Sequence, residues 1–194
     1  MTNLAPGLAD IAHDSQRLFR DVLDAFSHPG RIVALRQPPP AVAPLSAAAT
    51  AFLLTLVDRD TPLWLAPTLS TPPVRDFIRF HTGAPLVEWE PQALFAVVTP
   101  DRVPLLDGFA IGTDPYPDRS ATLVLEVSSL TGGTPRRLRG PGIDGHATVA
   151  VTGLADSFWG EWAANHALFP CGVDLVFASG AELLALPRSI AVET

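Results

Sequence analysis

No lysine occurs anywhere in the 194 residues; all thirteen basic side chains are arginines. Without an ε-amine the chain can form neither a Schiff base with a carbonyl substrate nor a covalent bond to pyridoxal phosphate, and it has no P-loop lysine. Cysteine is almost as scarce. Cys171 stands alone, which excludes an intrachain disulfide framework and leaves too little sulfur for a thiolate zinc or iron-sulfur cage. An excess of positive charge is also lacking: the net charge is -7 and the pI is near 5.0. The summed field opposes non-specific attraction to nucleic acid or to anionic membranes, so neither is expected as a partner. The N-terminus shows no basic region followed by an apolar run, since Asp10 and Asp14 precede the first arginine, Arg17. No signal peptide is expected, and the expected location is cytoplasmic. One uncharged stretch, Ala41 to Val57, is interrupted by Pro44, Ser46, Thr50 and Thr55 and reads as a buried helix, not as a membrane span.

What is present suits one compact α/β domain over residues 1–194. With 47% hydrophobic residues, a chain of this length can bury roughly 70% of the surface its unfolded form exposes, so stability needs no disulfide or structural metal. Asp14 or Ser15 is expected to cap a helix running to about Ser27, with Leu18, Val22 and Phe26 at helical spacing, stopped by His28-Pro29-Gly30. Arg31 to Leu35 reads as a strand. Ser46 caps a second helix that is apolar almost all round, Pro62 to Ala66 is a strand, and Thr71-Pro72-Pro73 opens an amphipathic helix ended by Gly83. Further strands are expected at Leu94 to Val98, Ala121 to Val127, Thr148 to Val151, Val173 to Ala178 and finally Leu183 to Leu186, with Ser157 to Leu168 helical. Pro100 to Pro117 is rich in Pro, Asp and Gly and reads as an irregular excursion, extending to about residue 118. Helices and strands alternate early and strands dominate late, which predicts a three-layer α/β sandwich with a mixed sheet.

The densest functional signal is the segment from Gly132 to Gly142, with Gly132, Gly133, Arg136, Arg137 and Arg139 as candidate ligand-binding residues. Glycine permits close backbone approach, and guanidinium forks match phosphate or phosphonate oxygens. The segment matches no nucleotide motif, so two readings stand: an anion cradle, or a glycine-bounded hairpin whose arginines are solvated or face a partner chain. Arg79 and His81 form a second candidate at a helix C-terminus, where a cationic imidazole is favoured and could act as acid or base. The plainer alternative is charge complementation with Phe80 packed inside. His166 lacks metal-pair spacing to Glu161, Cys171 has no clear base beside it, and Asp58, Asp60 and Asp174 read as turn or strand-start carboxylates. No catalytic residue and no metal site emerge.

The ordered series Phe19-Arg20, Pro29-Gly30, Leu53-Leu54-Thr55-Leu56 with Asp58, Thr61-Pro62 and Trp64 continues with Arg79-Phe80-His81-Thr82 and Ala84-Pro85. Ser120 to Leu123, Ser129-Leu130, Gly132-Gly133, Gly140, Gly142-Ile143, Phe169-Pro170, Gly172, Asp174, Gly180 and Pro187-Arg188 complete it. This series resembles the PhnH family, subunits of the bacterial carbon-phosphorus lyase core complex; the first dozen residues and Pro100 to Asp118 fall outside the likeness. The resemblance implies a fold similar to the large domain of pyridoxal-phosphate-dependent transferases but without that cofactor, in agreement with the missing lysine. It implies no cofactor of its own, a homodimer, and assembly with the G, I and J subunits. That assembly would form ribose 1-methylphosphonate 5-triphosphate from methylphosphonate and ATP, ahead of an iron-sulfur radical cleavage on another subunit. The alternative is a stand-alone phosphate or phosphonate binder using the arginine-rich segment.

Overall fold

In the computed structural model, which describes residues 4–100 and 106–193, the first helix, α1 (Ile11–Ser27), starts earlier than its expected caps. Asp10, not Asp14 or Ser15, is the N-cap. Its carboxylate accepts from the His13 N–H at 3.1 Å, and that bond, the largest of several causes, holds its pKa below the usual carboxylate range. Asp14 sits inside the first turn, where it accepts from the Asp10 N–H and pairs with Arg17. The apolar stripe turns Leu18, Val22 and Ala25 inward.

The expected strand Arg31 to Leu35 shortens to β1 (Val33–Ala34), because it lies at a sheet edge with one neighbour and Arg36 is then drawn to α1 by Asp21. Ser46 caps α2 (Ala47–Leu56) as expected, its hydroxyl accepting from the Ala49 N–H at 3.0 Å. There follow β2 (Leu63–Leu65), α3 (Pro72–His81) and β3 (Phe95–Val98). The stretch expected to be irregular contains, in its described part, a hairpin of β4 (Ile111–Thr113) and β5 (Tyr116–Ser120), whose glycine and prolines hide the alternation that marks a strand. Residues 101–105 lie outside the described part. After β6 (Thr122–Glu126) come β7 (Arg136–Arg139), β8 (Ala147–Val149), α4 (Asp156–Ala167), β9 (Asp174–Ser179) and β10 (Glu182–Leu186). The chain's last strand is not the expected Leu183 to Leu186 but β11 (Ala191–Glu193), too short to carry a sequence signal of its own.

Six strands form one mixed sheet in the order β1-β10-β9-β6-β3-β2. The strands β2, β3, β6 and β9 run parallel, and their near-continuous burial is what parallel strands covered on both faces require. β10 returns antiparallel to β9 through a two-residue turn in which Gly180 takes φ +55°, and β1 pairs antiparallel to β10. Register assigns the faces. Phe95, Val97, Val124 and Val176 point to one side, where Phe52 of α2 meets the Phe95 ring at 6.0 Å. Leu125 and Phe177 point to the other, where Phe158 of α4 meets Phe177 at 6.1 Å. The sheet therefore carries helices on both faces. A second, antiparallel sheet, β11-β7-β8, is fastened to α4 by the buried Trp162, whose indole N–H donates to the Ile190 carbonyl at 2.9 Å just before β11.

Candidate functional site

The arginine segment is neither a loop nor a simple hairpin: β7 is the central strand of the small sheet. The period of two splits its arginines between faces. Leu138 is fully buried, while Arg137 and Arg139 project to the opposite side and both meet Glu193 of β11, with Nε of Arg137 3.3 Å from the carboxylate. Arg136 leaves on the Leu138 side, pairs with Asp156 at the start of α4 and lies 6.0 Å from the Trp159 ring centre. The three guanidiniums do not converge on one point, and each already has a carboxylate partner. Gly132 adopts φ +87°; Gly133 donates its N–H to the Ala150 carbonyl at 2.7 Å, and a Cβ there would stand only 2.1 Å from the Val151 carbonyl oxygen. The close approach that glycine permits is thus spent on the chain's own backbone.

Arg79 and His81 end α3 but serve different surroundings. The His81 ring lies 4.4 Å from that of Phe77, and its Nε2 is 3.1 Å from the Ala5 carbonyl, so the imidazole fastens the N-terminal segment. Phe80 is not packed inside: it is 73% exposed, because the helix buries Val74, Phe77 and Ile78. Arg79 faces a cleft of about 600 Å³ beside the edge strand β2. One wall is Trp64, Leu65 and Pro67, at and just past the carboxyl end of β2. Ser70, Arg75 and Arg79 form a second wall, and Leu86 to Glu88 with Glu90 a third. Arg75 and Arg79 are one helical turn apart and share a face. Sequence reasoning named Arg79 alone; the i, i+4 spacing of the two arginines was the available signal, whereas the acidic wall arrives from a separate loop.

Glu126, also missed, ends β6 next to the N-terminus of α2. Burial pushes its carboxyl up to about 7, against the opposing Ser46 N–H, which donates to it at 2.7 Å. A lone acid closing an apolar strand was its sequence mark. Asp174 makes a doubly bonded pair with Arg188, which also donates to the Pro117 carbonyl and so ties β9 to the β4–β5 hairpin. His166 is held 2.8 Å from the Arg188 carbonyl. Cys171 is buried with Asp114 3.8 Å from its sulfur, and Asp58 with Asp60 form the turn before β2. Among the described residues, no group of three His, Cys, Asp or Glu side chains could hold a metal ion.

These observations define a mixed α/β protein whose charged residues mostly brace the fold, with an open, charged cleft of about 600 Å³ at the sheet edge. The chain belongs to the PhnH family: the family profile described as bacterial phosphonate metabolism protein matches residues 6–193. It is 45% identical over 186 residues to the alpha-D-ribose 1-methylphosphonate 5-triphosphate synthase subunit PhnH of Rhizobium meliloti (strain 1021), covering 95% of this chain and 93% of that protein. It is also 34% identical over 176 residues to HtxG of Stutzerimonas stutzeri, described as a candidate C-P lyase subunit protein, covering 90% of this chain and 83% of the relative.

Proposed function

We propose that this chain is a subunit of the assembly that forms ribose 1-methylphosphonate 5-triphosphate from methylphosphonate and ATP during phosphonate catabolism. The observation that carries the reading is the 45% identity, spread over nearly all of both chains, to a protein named as a subunit of that synthase. In this reading the chain acts as one α/β unit in the cytoplasm, forms a homodimer, and docks with the G, I and J subunits. It resembles the large domain of pyridoxal-phosphate-dependent transferases but has no lysine to hold the cofactor.

The chain contributes structure and docking surface and no catalytic group of its own. Supporting this, most of its polar clusters are ion pairs and turn contacts, and the Cys171 thiol is buried with only the Asp114 carboxylate beside it. Of the residues singled out in the sequence, Arg136, Arg137 and Arg139 fit a braced strand, Gly132 and Gly133 the bend before it that packs on Ala150 and Val151, His81 a fastening for the N-terminal segment, and Arg79 a ligand-facing position. The stand-alone anion binder built on residues 132–142 has no support, since its guanidiniums diverge and are already paired.

Co-expression with the three partner subunits of its host, followed by mass measurement, tests the proposal. A stoichiometric complex with the partners and an inactive homodimer alone are expected. A chain that stays alone in every combination, or that by itself converts methylphosphonate and ATP, refutes it.

A further inference from the structure

The geometry points to the cleft beside β2 as a binding site for a small molecule that carries an oxyanion at one end and hydroxyl groups along its length, the chemistry of a sugar phosphate. The inference stands on the cleft alone and does not depend on the subunit reading.

Three features carry it. The first is charge without closure. Arg75 and Arg79 line the cleft together with Glu88 and Glu90, yet none of the four makes an ion pair among the described residues, although eight of the other arginines do. The opposed charges stand around an open volume of about 600 Å³, within the range of small-molecule clefts. The second is the match of groups. Two guanidiniums one helical turn apart offer forked N–H donors to a phosphate, phosphonate or carboxylate, while carboxylates, which only accept hydrogen bonds, suit the O–H donors of a polyol. An inorganic anion alone would leave both glutamates unmatched and repelled; an uncharged sugar would leave both arginines unmatched. The third is position. The cleft opens at the carboxyl end of the parallel strand β2, the end at which parallel sheets place their ligands, and Leu65, Pro67 and Leu86 are among its apolar lining residues.

Titration of the full-length chain at low salt, read by calorimetry and tryptophan fluorescence, decides the matter. Ribose 5-phosphate is expected to saturate one site and to bind roughly tenfold or more tightly than inorganic phosphate, with free ribose silent. Arg75→Ala with Arg79→Ala should weaken ribose 5-phosphate roughly tenfold or more, because two charged donors are lost. Glu88→Ala with Glu90→Ala, which removes the hydroxyl acceptors, should bring ribose 5-phosphate down to the affinity of phosphate while leaving phosphate itself unweakened. Arg75, Arg79 and Glu88 are exposed and Glu90 is half-buried, and none of the four is ion-paired among the described residues, so the variants should melt close to the wild-type temperature. Arg137→Ala, outside the cleft, should bind as the wild type does. The proposal is overturned if the wild type shows no saturable binding, if the double arginine variant binds undiminished, or if phosphate and ribose 5-phosphate bind equally.

Discussion

Glu126 sits where a strand end, a helix N-terminus and the protein interior meet, and its carboxyl is pushed up to about 7 by burial. In the unfolded chain the same group titrates near its ordinary value of 4.5. Between these pH values the folded state holds the proton longer, so stability is greatest below pH 4.5 and is lost as pH rises to about 7, by about 3 kcal/mol for this group. Glu126→Gln keeps an acceptor for the Ser46 N–H and removes the charge. In urea melts the variant should match the wild type at pH 4 and exceed it by about 3 kcal/mol at pH 8; equal stability at pH 8 would show that water reaches the carboxylate. Gly133 is a steric case. A Cβ there meets backbone on its crowded side, which cannot swing away as a side chain can, so Gly133→Ala should cost about 3 kcal/mol by denaturant titration. That cost was not legible in the sequence, where the glycine pair looked as suitable for a ligand as for a neighbouring strand.

At the scale of elements, helices and sheet strands follow local rules and were largely legible. Ser46, Pro72 and Gly83 mark helix ends in the sequence and mark them in the fold. The elements that escaped were short or broken by proline: β4, β5 and β11 have three to five residues each, too few for a period to declare itself. The start of α1 moved because several acidic and hydroxyl residues compete for the cap, and His13 settles the matter by bonding Asp10 through both its N–H and its ring. The joint between α4 and β9 depends on one buried side chain. Asn165 donates to the Val173 carbonyl at 2.9 Å and accepts from the Val173 N–H at 2.8 Å, completing a strand-like pairing with a side-chain amide. Asn165→Leu would leave both backbone groups buried without partners. A loss of about 3 kcal/mol in denaturant titration is expected; a loss below 1 kcal/mol would mean that water replaces the amide.

For the whole molecule, stability should grade outward from the parallel strands. β3, β6 and β9 are buried on both faces and hydrogen-bonded on both edges, so their amides should exchange only on global opening, while those of the β4–β5 hairpin should exchange through local opening. The hairpin is fastened chiefly at its base, by the Gly172 N–H on Ile111, the Ala121 N–H on Ala110 and Arg188 on Pro117. Hydrogen exchange of the isolated chain checks this, and hairpin amides as slow as those of β6 would contradict the ordering. The sequence by itself determined which chemistries are closed to the protein, since a missing amine or thiol is missing in any fold. It also determined the main helices and buried strands, whose signals lie within a few turns of chain, and the family likeness. Only the tertiary structure decided what the charges do. Arg137 and Arg139 lose their claim to an external anion because β11 brings Glu193 alongside them, Glu126 finds Ser46 across 80 residues, and Arg79 gains its place because a separate loop builds a wall opposite. Such partners are chosen by the path of the sheet, and the energy of a charge depends on what surrounds it, which residue order alone does not state.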